Sequence, residues 1–197
     1  ELTFGAIEAG SVKFKVSNIF LPMKGKWLTA RMTIGGHTDQ PLLIGRFKGY
    51  SDTPTADRKY RDVVAYDALY DILNADVAAW YNTVFPSHKE QQKDKDGKTT
   101  TVTVYDPVTM KQFRDSFFKH FGIEQADIAL INDNMSIEKT VAVTASSETS
   151  SATEESSTIG ESMSGKEVLS CICEINGCMG HMGRDGKFHY IYLEQNI

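Results

Sequence analysis

Features that identify most enzymes and membrane proteins are scarce in this chain. Its 197 residues include only three cysteines and five prolines, and an odd number of cysteines in one short region is typical of a reduced protein rather than of a disulfide scaffold. No apolar run approaches the roughly 18 to 20 residues that a membrane-spanning helix needs, so we expect no membrane segment. The sequence also contains no P-loop, dinucleotide fingerprint, G-x-S-x-G or H-E-x-x-H motif. We therefore assign no cofactor.

The acidic balance argues against one further class of function. The formal net charge is −5 and the pI is near 5.5, whereas proteins that bind nucleic acids non-specifically use clustered lysine and arginine residues to neutralise phosphates. The most lysine-rich segment, residues 90–101, has acidic residues interleaved and no aromatic residue. We predict no specific nucleic-acid binding, and we interpret this segment as an exposed loop or the tip of a hairpin.

Three cysteines and one histidine come closest to a metal motif. Cys171, Cys173, Cys178 and His181 spell C-x-C-x4-C-x2-H. The first two lie in a segment with helical periodicity, and residues two apart on a helix point about 200° away from each other. They therefore cannot both face one ion. We expect small buried hydrophobic side chains here and no metal site.

A Cys-His nucleophile is the remaining catalytic alternative. Cys178 could reach His181 or His189 if these residues lie on paired strands. The histidines are otherwise dispersed along the chain, at His37, His88, His120, His181 and His189. The many carboxylates show no spacing that singles out an acid and base pair. We predict no catalytic residues and no enzymatic activity for this chain.

Strand signals dominate the first third of the chain. Alternating or β-rich segments separated by turn formers predict strands at residues 2–4, 12–16, 27–34, 41–47 and 60–65. Short strands at this spacing favour a small barrel or sandwich. A helix predicted over residues 66–81 then carries an apolar face formed by Leu69, Ile72, Leu73, Val77 and Trp80. We predict that residues 1–105 form a β-barrel-like domain on which this helix packs.

Two capped helices organise the rest of the chain. The pairs Thr109 with Gln112 and Ser164 with Glu167 have the spacing of a capping box, in which two side chains satisfy free amides of a first helical turn. Both predicted helices end at a glycine, which readily takes the left-handed conformation, namely Gly122 and Gly177.

A pair of strands follows each of these helices. Residues 127–131 and 135–143 form the first predicted pair. The turn Arg184-Asp-Gly-Lys187 joins the second, because Asp-Gly tolerates the positive φ of a type I′ turn. Between the two units, residues 144–162 are almost entirely Ser, Thr, Ala and Glu, which predicts a long mobile loop. We predict an α+β fold in which residues 106–197 form a domain from two helix-plus-β-hairpin units interrupted by this loop.

These segments, taken in order, resemble the N-terminal region of bacteriophage (prophage) tail proteins of the baseplate-hub or tail-associated-lysin family. That family has a barrel strand with a small-x-aromatic pattern, an extended connector, a strand and an aromatic-Asp-small-Leu helix start. Its next domain has a helix, a glycine and an Arg-Asp-Gly-Lys-aromatic turn. The matching residues here are Gly45-Arg-Phe47, the connector 51–58, Val63-Val64, Tyr66-Asp-Ala-Leu69, Val168-Leu169, Gly177 and Arg184-Asp-Gly-Lys-Phe188.

The resemblance implies a structural role in a phage tail. Such proteins assemble as trimers that form a ring at the end of the tail tube, and some carry a C-terminal peptidoglycan hydrolase. The implied partners are further copies of the chain, the distal tail protein and the tail tube proteins. The implied location is the virion tail tip, after synthesis in the cytoplasm of the bacterial host. Because the chain starts with Glu1 rather than methionine, we interpret it as a fragment of a longer protein or as a processed chain.

Two alternatives from other functional classes stay open. The first is a wall-degrading tail enzyme, or an accessory region that positions its substrate, and carboxylates converging in a cleft would favour it. The second is a module that binds a host-surface carbohydrate or protein through exposed Trp27, Tyr50 or Tyr60. Exposed aromatic residues lining a groove would favour this second alternative.

Overall fold

The structure, a computed structural model, describes residues 5–17, 21–35, 37–93, 97–139 and 162–192. It confirms the α+β class, because it combines a curled half-barrel sheet with helices and two-stranded sheets. In chain order the elements are β1 Ser11–Ser17, β2 Trp27–Ile34, β3 His37–Pro54, β4 Tyr60–Tyr66, α1 Leu69–Leu73, α2 Ala78–Val84, β5 Ser87–Lys93, β6 Thr99–Tyr105, β7 Val108–Thr109, α3 Met110–Phe121, β8 Ser136–Ile137, α4 Gly165–Ile175, β9 Cys178–Met182 and β10 Phe188–Tyr192.

Alternating side chains build the half-barrel from four antiparallel strands in the order β1-β4-β3-β2. Phe14 lies opposite Val63, and Leu28 lies opposite Phe47. The period of two places all four side chains on one face of the sheet, and Val63 and Phe47 are buried there. Lys13 belongs to the other face and is exposed. The strands predicted between residues 12 and 65 are therefore confirmed.

The helices and the last hairpin share one apolar core. Its most deeply buried members come from α1, α3, α4 and β10: Leu69, Ile72, Phe117, Phe118, Leu169, Ile172 and Phe188. In the described ranges, no helix is long and apolar enough to cross a membrane. The division into domains at residue 105 stays a prediction.

Both predicted capping boxes are present. At the start of α3, Thr109 Oγ1 accepts a hydrogen bond from the Gln112 amide (3.2 Å), and Gln112 Oε1 accepts one from the Thr109 amide (2.9 Å). At the start of α4, Ser164 Oγ accepts from the Glu167 amide (3.2 Å), and Glu167 Oε2 accepts from the Ser164 amide (2.8 Å). Gly122 ends α3 in the left-handed conformation with φ of 65°. Local sequence therefore sets both helix starts.

Replacing Ser164 with alanine is expected to lower the free energy of unfolding by about 1 kcal/mol, because the first turn of α4 loses its side-chain cap. Urea unfolding followed by circular dichroism measures this change. Lys166→Ala, an exposed position in the same turn, is the matched control and should change stability by less than about 0.5 kcal/mol. Equal effects for the two variants would contradict a role for the cap.

The single helix predicted over residues 66–81 is wrong. The chain forms two short helices, α1 and α2, separated by residues 74–77, which belong to neither helix. In that segment the Val77 amide donates to the Met163 carbonyl (2.7 Å), and the Ala75 carbonyl accepts from the Gly165 amide (2.9 Å). These backbone groups pair with the start of α4 instead of continuing the helix, so a tertiary contact overrides the apolar periodicity.

The strand predicted at residues 127–131 is also wrong, and the pair predicted after α3 does not form as a hairpin. Side chains occupy the backbone groups that a strand would use: the Ile128 carbonyl accepts from Arg114 (3.1 Å), and the Leu130 amide donates to Asp133 (2.9 Å). β8 is two residues long and pairs with β7. The remainder of the strand predicted at 135–143, from residue 140, lies outside the described residues, as do residues 144–161 of the predicted loop and the strand predicted at 2–4.

The lysine-rich segment 90–101 lies in an exposed hairpin, as predicted. β5 pairs with β6 from Ser87 opposite Tyr105 to Lys93 opposite Thr99. Every residue of β5 is exposed, so most of this ribbon lies in solvent. Its tip, residues 94–96, lies outside the described residues.

Candidate functional site

The three cysteines occupy different environments. Cys171 is exposed, whereas Cys173 and Cys178 are buried, because α4 turns the first two to different faces. Cys178 Sγ donates to the Cys173 carbonyl (3.4 Å), and the hydrogen bond to Cys178 together with burial raises the pKa of the Cys173 thiol. Across the described ranges, no group of three or more Cys, His, Asp or Glu side chains is arranged to hold a metal ion. Absence of a metal site in the whole chain stays a prediction.

The candidate nucleophile and base do not meet. Cys178 and His181 lie three residues apart on β9, so the strand turns their side chains to opposite faces, and Cys178 is buried while His181 is exposed. His189 pairs with His181 across the hairpin. Its Nε2 lies 2.9 Å from Asp185 Oδ1, and Asp185 is in the turn. Burial, with His189 nearby, lowers the pKa of His181. His181 and His189 therefore lie on the exposed face of this hairpin.

Carboxylates converge near α1, but each has a structural partner. Asp67 accepts hydrogen bonds from the amides of Gly10 (2.7 Å) and Leu69 (2.9 Å), which joins the start of β1 to the start of α1. Burial raises the pKa of the Asp67 carboxyl. Because backbone donors engage both of its oxygens, this side chain anchors the chain at the groove that it lines.

The neighbouring Asp52 has a similar anchoring role. It accepts from Arg61 Nε (2.6 Å) and from the Met23 amide (2.7 Å), and the hydrogen bond from Arg61 lowers the pKa of the Asp52 carboxyl. Asp71 accepts from Lys48 Nζ (2.6 Å) at the surface. The geometry therefore supplies no pair of unpartnered carboxylates for acid and base catalysis at this place.

Three tyrosines form a cluster at the junction of the half-barrel and α1. We call Tyr50, Tyr66 and Tyr70 the tyrosine cluster. The rings of Tyr66 and Tyr70 stack with centroids 4.3 Å apart, and Tyr50 contacts both edge-on at 5.5 and 5.1 Å. Tyr50 is 53% exposed. The hydrogen bond between the Tyr70 and Tyr50 hydroxyl groups raises the pKa of Tyr70 to about 12. The cluster borders an open groove of about 530 Å³.

A β-bulge aims Tyr50 outward. β3 and β4 change register between Gly49 and Ser51, which leaves Tyr50 without a partner in the ladder, and bulges commonly re-aim a side chain in this way. The Gly49 carbonyl accepts from the Gly25 amide (2.8 Å), and the Gly49 amide donates to the Lys26 carbonyl (2.9 Å). A Cβ atom on Gly49 would collide with the Met23 carbonyl, so only glycine admits this loop beside the bulge.

Trp27 lies on the same face of the sheet, next to Lys48. The register pairs Trp27 with Lys48 and Lys48 with Tyr66. Trp27 is 49% exposed, and the Arg46 guanidinium lies 5.6 Å from its ring centroid. The structure thus places Trp27 on the same face of the sheet as Tyr66, which contacts Tyr50 and Tyr70. Tyr66 and Tyr70 were not among the aromatic residues predicted from the sequence. Tyr66 and Tyr70 are four apart across the helix start, a spacing that signals a shared face.

Tyr60 does not join this group. It pairs with Ser17 at the opposite end of β4 from Tyr66. Six residues of extended strand separate the two tyrosines by about 20 Å. Tyr60 is 45% exposed, so it is a surface aromatic residue that lies apart from the tyrosine cluster.

An apolar groove of about 560 Å³ runs beside α4. It is lined largely by apolar side chains, among them Tyr81, Met110, Phe113, Ile137, Val168 and Cys171. Met135, Ile175 and the turn residue Ile131 are exposed. Apolar surface of this kind is typical of contacts between proteins.

Comparison with known proteins gives a likeness in fold. No family model matches the chain, and no curated protein matches its sequence. A solved structure that it resembles is the 43 kDa tail protein of prophage MuSo2 from Shewanella oneidensis, with a TM-score of 0.52 and 12% identity. The likeness covers 98% of this chain and 47% of that one, so the chain spans about half the length of that protein. At this identity the likeness shows a shared fold.

Proposed function

We propose that this chain is a structural component of a phage tail tip, a fragment of a baseplate hub with no catalysis of its own. The observation that carries the proposal is the likeness in fold, along 98% of the chain, to a prophage tail protein. A fold alone does not determine function. The ordered motif resemblance and the structural use of the candidate catalytic side chains add support.

The residues that carry the motif resemblance are those on which the fold depends. Phe47 is buried in the half-barrel, and Leu69, Leu169 and Phe188 are buried in the helical core. Gly177 has a positive φ of 63° after α4. Such residues specify a framework and form no reactive site, which agrees with a protein that acts by assembling.

In the full-length protein, we propose a trimer that forms a ring at the end of the tail tube. A closed ring needs heterologous contacts between copies. Within the described part of the chain, β1 and β2 are the outer strands of the half-barrel, and the β5 and β6 hairpin is largely exposed. Strand edges of this kind pair readily with another chain. The proposed partners are further copies of the chain, the distal tail protein and the tail tube proteins, at the virion tail tip after synthesis in the host cytoplasm.

The purified chain is expected to release no soluble fragments from bacterial cell walls, because the candidate catalytic side chains do not converge in the described part of the chain: Cys178 and His181 lie on opposite faces of β9, and Asp67 is held by backbone amides. A turnover assay against walls of several species, with lysozyme as the positive control, measures this. Wall lysis that disappears in Asp67→Asn or His189→Ala would instead establish the wall-degrading alternative.

A further inference from the structure

Exposed and half-buried aromatic and charged side chains lie in a row on the outer face of the half-barrel. Trp27, Lys48 and Tyr66 are neighbours across three strands, and adjacent strands lie about 4.8 Å apart. Trp27 and Tyr66 are therefore about 10 Å apart, with Lys48 between them. Tyr50 extends the strip along β3 and contacts Tyr66. We call Trp27, Lys48, Tyr50 and Tyr66 the aromatic strip.

We propose that the aromatic strip binds a neutral polysaccharide built of pyranose units with equatorial hydroxyl groups. The carbon-bound hydrogens of such a sugar form an apolar face that packs on an aromatic ring, while its hydroxyl groups need donors and acceptors at the ring edges. Trp27 and Tyr50 are about half exposed and present aromatic surface at two separated points. An extended sugar chain can contact both points, because its alternate units present the same face.

Charged groups supply the hydrogen bonds that sugar hydroxyls require. Lys48 Nζ lies 2.6 Å from Asp71 Oδ2 at the groove beside Tyr50, and both side chains are well exposed. The ammonium group donates and the carboxylate accepts, so one hydroxyl can bridge both. Lys24, Ser51 and Thr53 also line the groove. The arrangement combines an aromatic platform with a few convergent polar groups.

The balance of charge favours a neutral ligand over a nucleic acid. Lys24 and Lys48 border the same groove as Asp52, Asp67 and Asp71. A chain of phosphates needs an excess of positive charge along its path, which this groove does not provide. An apolar peptide would contact mainly polar residues in this groove rather than a hydrophobic pocket. A neutral chain rich in hydroxyl groups suits both the balanced charge and the polar lining of the groove.

The strip is also organised before any ligand binds. Tyr66 is stacked on Tyr70, Lys48 is paired with Asp71, and the loop that contacts Gly49 holds the bulge beneath Tyr50. Fixed side chains lose little conformational entropy on binding. This inference is independent of the tail role, because a structural tail protein does not need to bind sugar.

Calorimetric titration of the full chain with cellohexaose and chitohexaose tests the proposal. Both are neutral pyranose chains, and only chitohexaose carries the N-acetyl groups of a wall glycan. Binding of both would show recognition of the sugar face alone, and binding of chitohexaose alone would identify a wall-type glycan. Either result supports the proposal. No heat of binding from either sugar at millimolar concentration would overturn it.

Variants locate the site. Tyr50→Ala and Trp27→Ala should each weaken binding by about tenfold, with melting temperatures close to that of the unaltered chain because both side chains are exposed. Tyr60→Ala is the matched control, since Tyr60 is a similarly exposed aromatic residue on the same sheet, and its affinity should be unchanged. A loss with Tyr60→Ala equal to that with Tyr50→Ala would overturn the assignment to the aromatic strip.

Discussion

Replacing Asp133 with alanine is expected to lower the free energy of unfolding by about 3 to 5 kcal/mol, because the change leaves a buried cation without its partner. Arg114 is 3% exposed. Its Nε donates to Asp133 Oδ1 (2.7 Å) and its Nη2 to Asp133 Oδ2 (2.8 Å), so the pair is bidentate. The guanidinium also donates to Gln125 and to the Ile128 carbonyl, which are neutral. The exposed Asp115 carboxylate lies 3.8 Å from Nη1, too far for a hydrogen bond that would replace the bidentate pair.

Urea unfolding of the variant measures this loss. Lys111→Ala is the matched control, since it breaks the exposed ion pair between Lys111 and Asp115 on the same helix, and it should cost about 0.3 to 0.5 kcal/mol. The double variant Arg114→Met with Asp133→Leu should recover much of the loss, because apolar side chains can replace a buried pair. A cost below about 1 kcal/mol for Asp133→Ala would contradict the central role given to this pair.

The same pair gives a dependence on pH. The hydrogen bond from Arg114 lowers the pKa of the Asp133 carboxyl in the folded protein. Its stabilising contribution is complete above the pKa of an unfolded aspartate, about 3.9, and is lost as the pH falls through the lowered value. The free energy of unfolding of Asp133→Ala should therefore fall less steeply in acid than that of the unaltered chain.

Replacing Phe188 with alanine is expected to cost about 3 to 5 kcal/mol, because the large side chain leaves a cavity in the core. Its ring is fully buried and lies 4.8 Å from the ring of Phe118 and 5.0 Å from that of Tyr190, between centroids. A Cβ atom on Gly180 would collide with the same ring. The last hairpin is therefore packed to its limit around Phe188.

Thermal or urea unfolding distinguishes this effect from a general weakening of the strand. Ile191→Ala removes an apolar side chain that is 42% exposed on the same strand, and it should cost less than about 1 kcal/mol. Gly180→Ala should cost about 1 to 3 kcal/mol through overpacking against Phe188. Equal tolerance of Phe188→Ala and Ile191→Ala would show that Phe188 is not a core residue.

The sequence predicted the parts of the fold that local chemistry decides. The capping boxes at Thr109 and Ser164 depend on residues three apart, and the place of the last hairpin turn depends on an Asp-Gly pair. The predicted type I′ turn is wrong, because Gly186 has a positive φ of 80° and Asp185 does not. The other wrong predictions lie where residues distant in sequence compete for backbone hydrogen bonds. The helix predicted over 66–81 is broken by backbone bonds to the start of α4, and the strand predicted at 127–131 is replaced by bonds to Arg114 and Asp133.

The sequence identified some aromatic residues of the candidate site but did not predict how they are arranged. Trp27 and Tyr50 were identifiable as aromatic residues in strands, but their exposure is set by the surrounding sheet. The bulge at Tyr50 depends on a loop from residues 23–26 that approaches Gly49, and no short motif encodes that contact. Tyr60 looked equivalent in sequence and lies apart because register, rather than residue type, decides neighbours in a sheet.

Immunogold electron microscopy of phage particles, with an antibody raised against this chain, tests whether the protein lies at the tail tip. The particles come from induction of the bacterial strain whose genome encodes the protein, and a strain lacking the gene is the control. We expect label at the distal end of the tail, and three-dimensional reconstruction of that region should show a threefold ring. Label on the capsid, or tails of normal structure in particles without the protein, would contradict it.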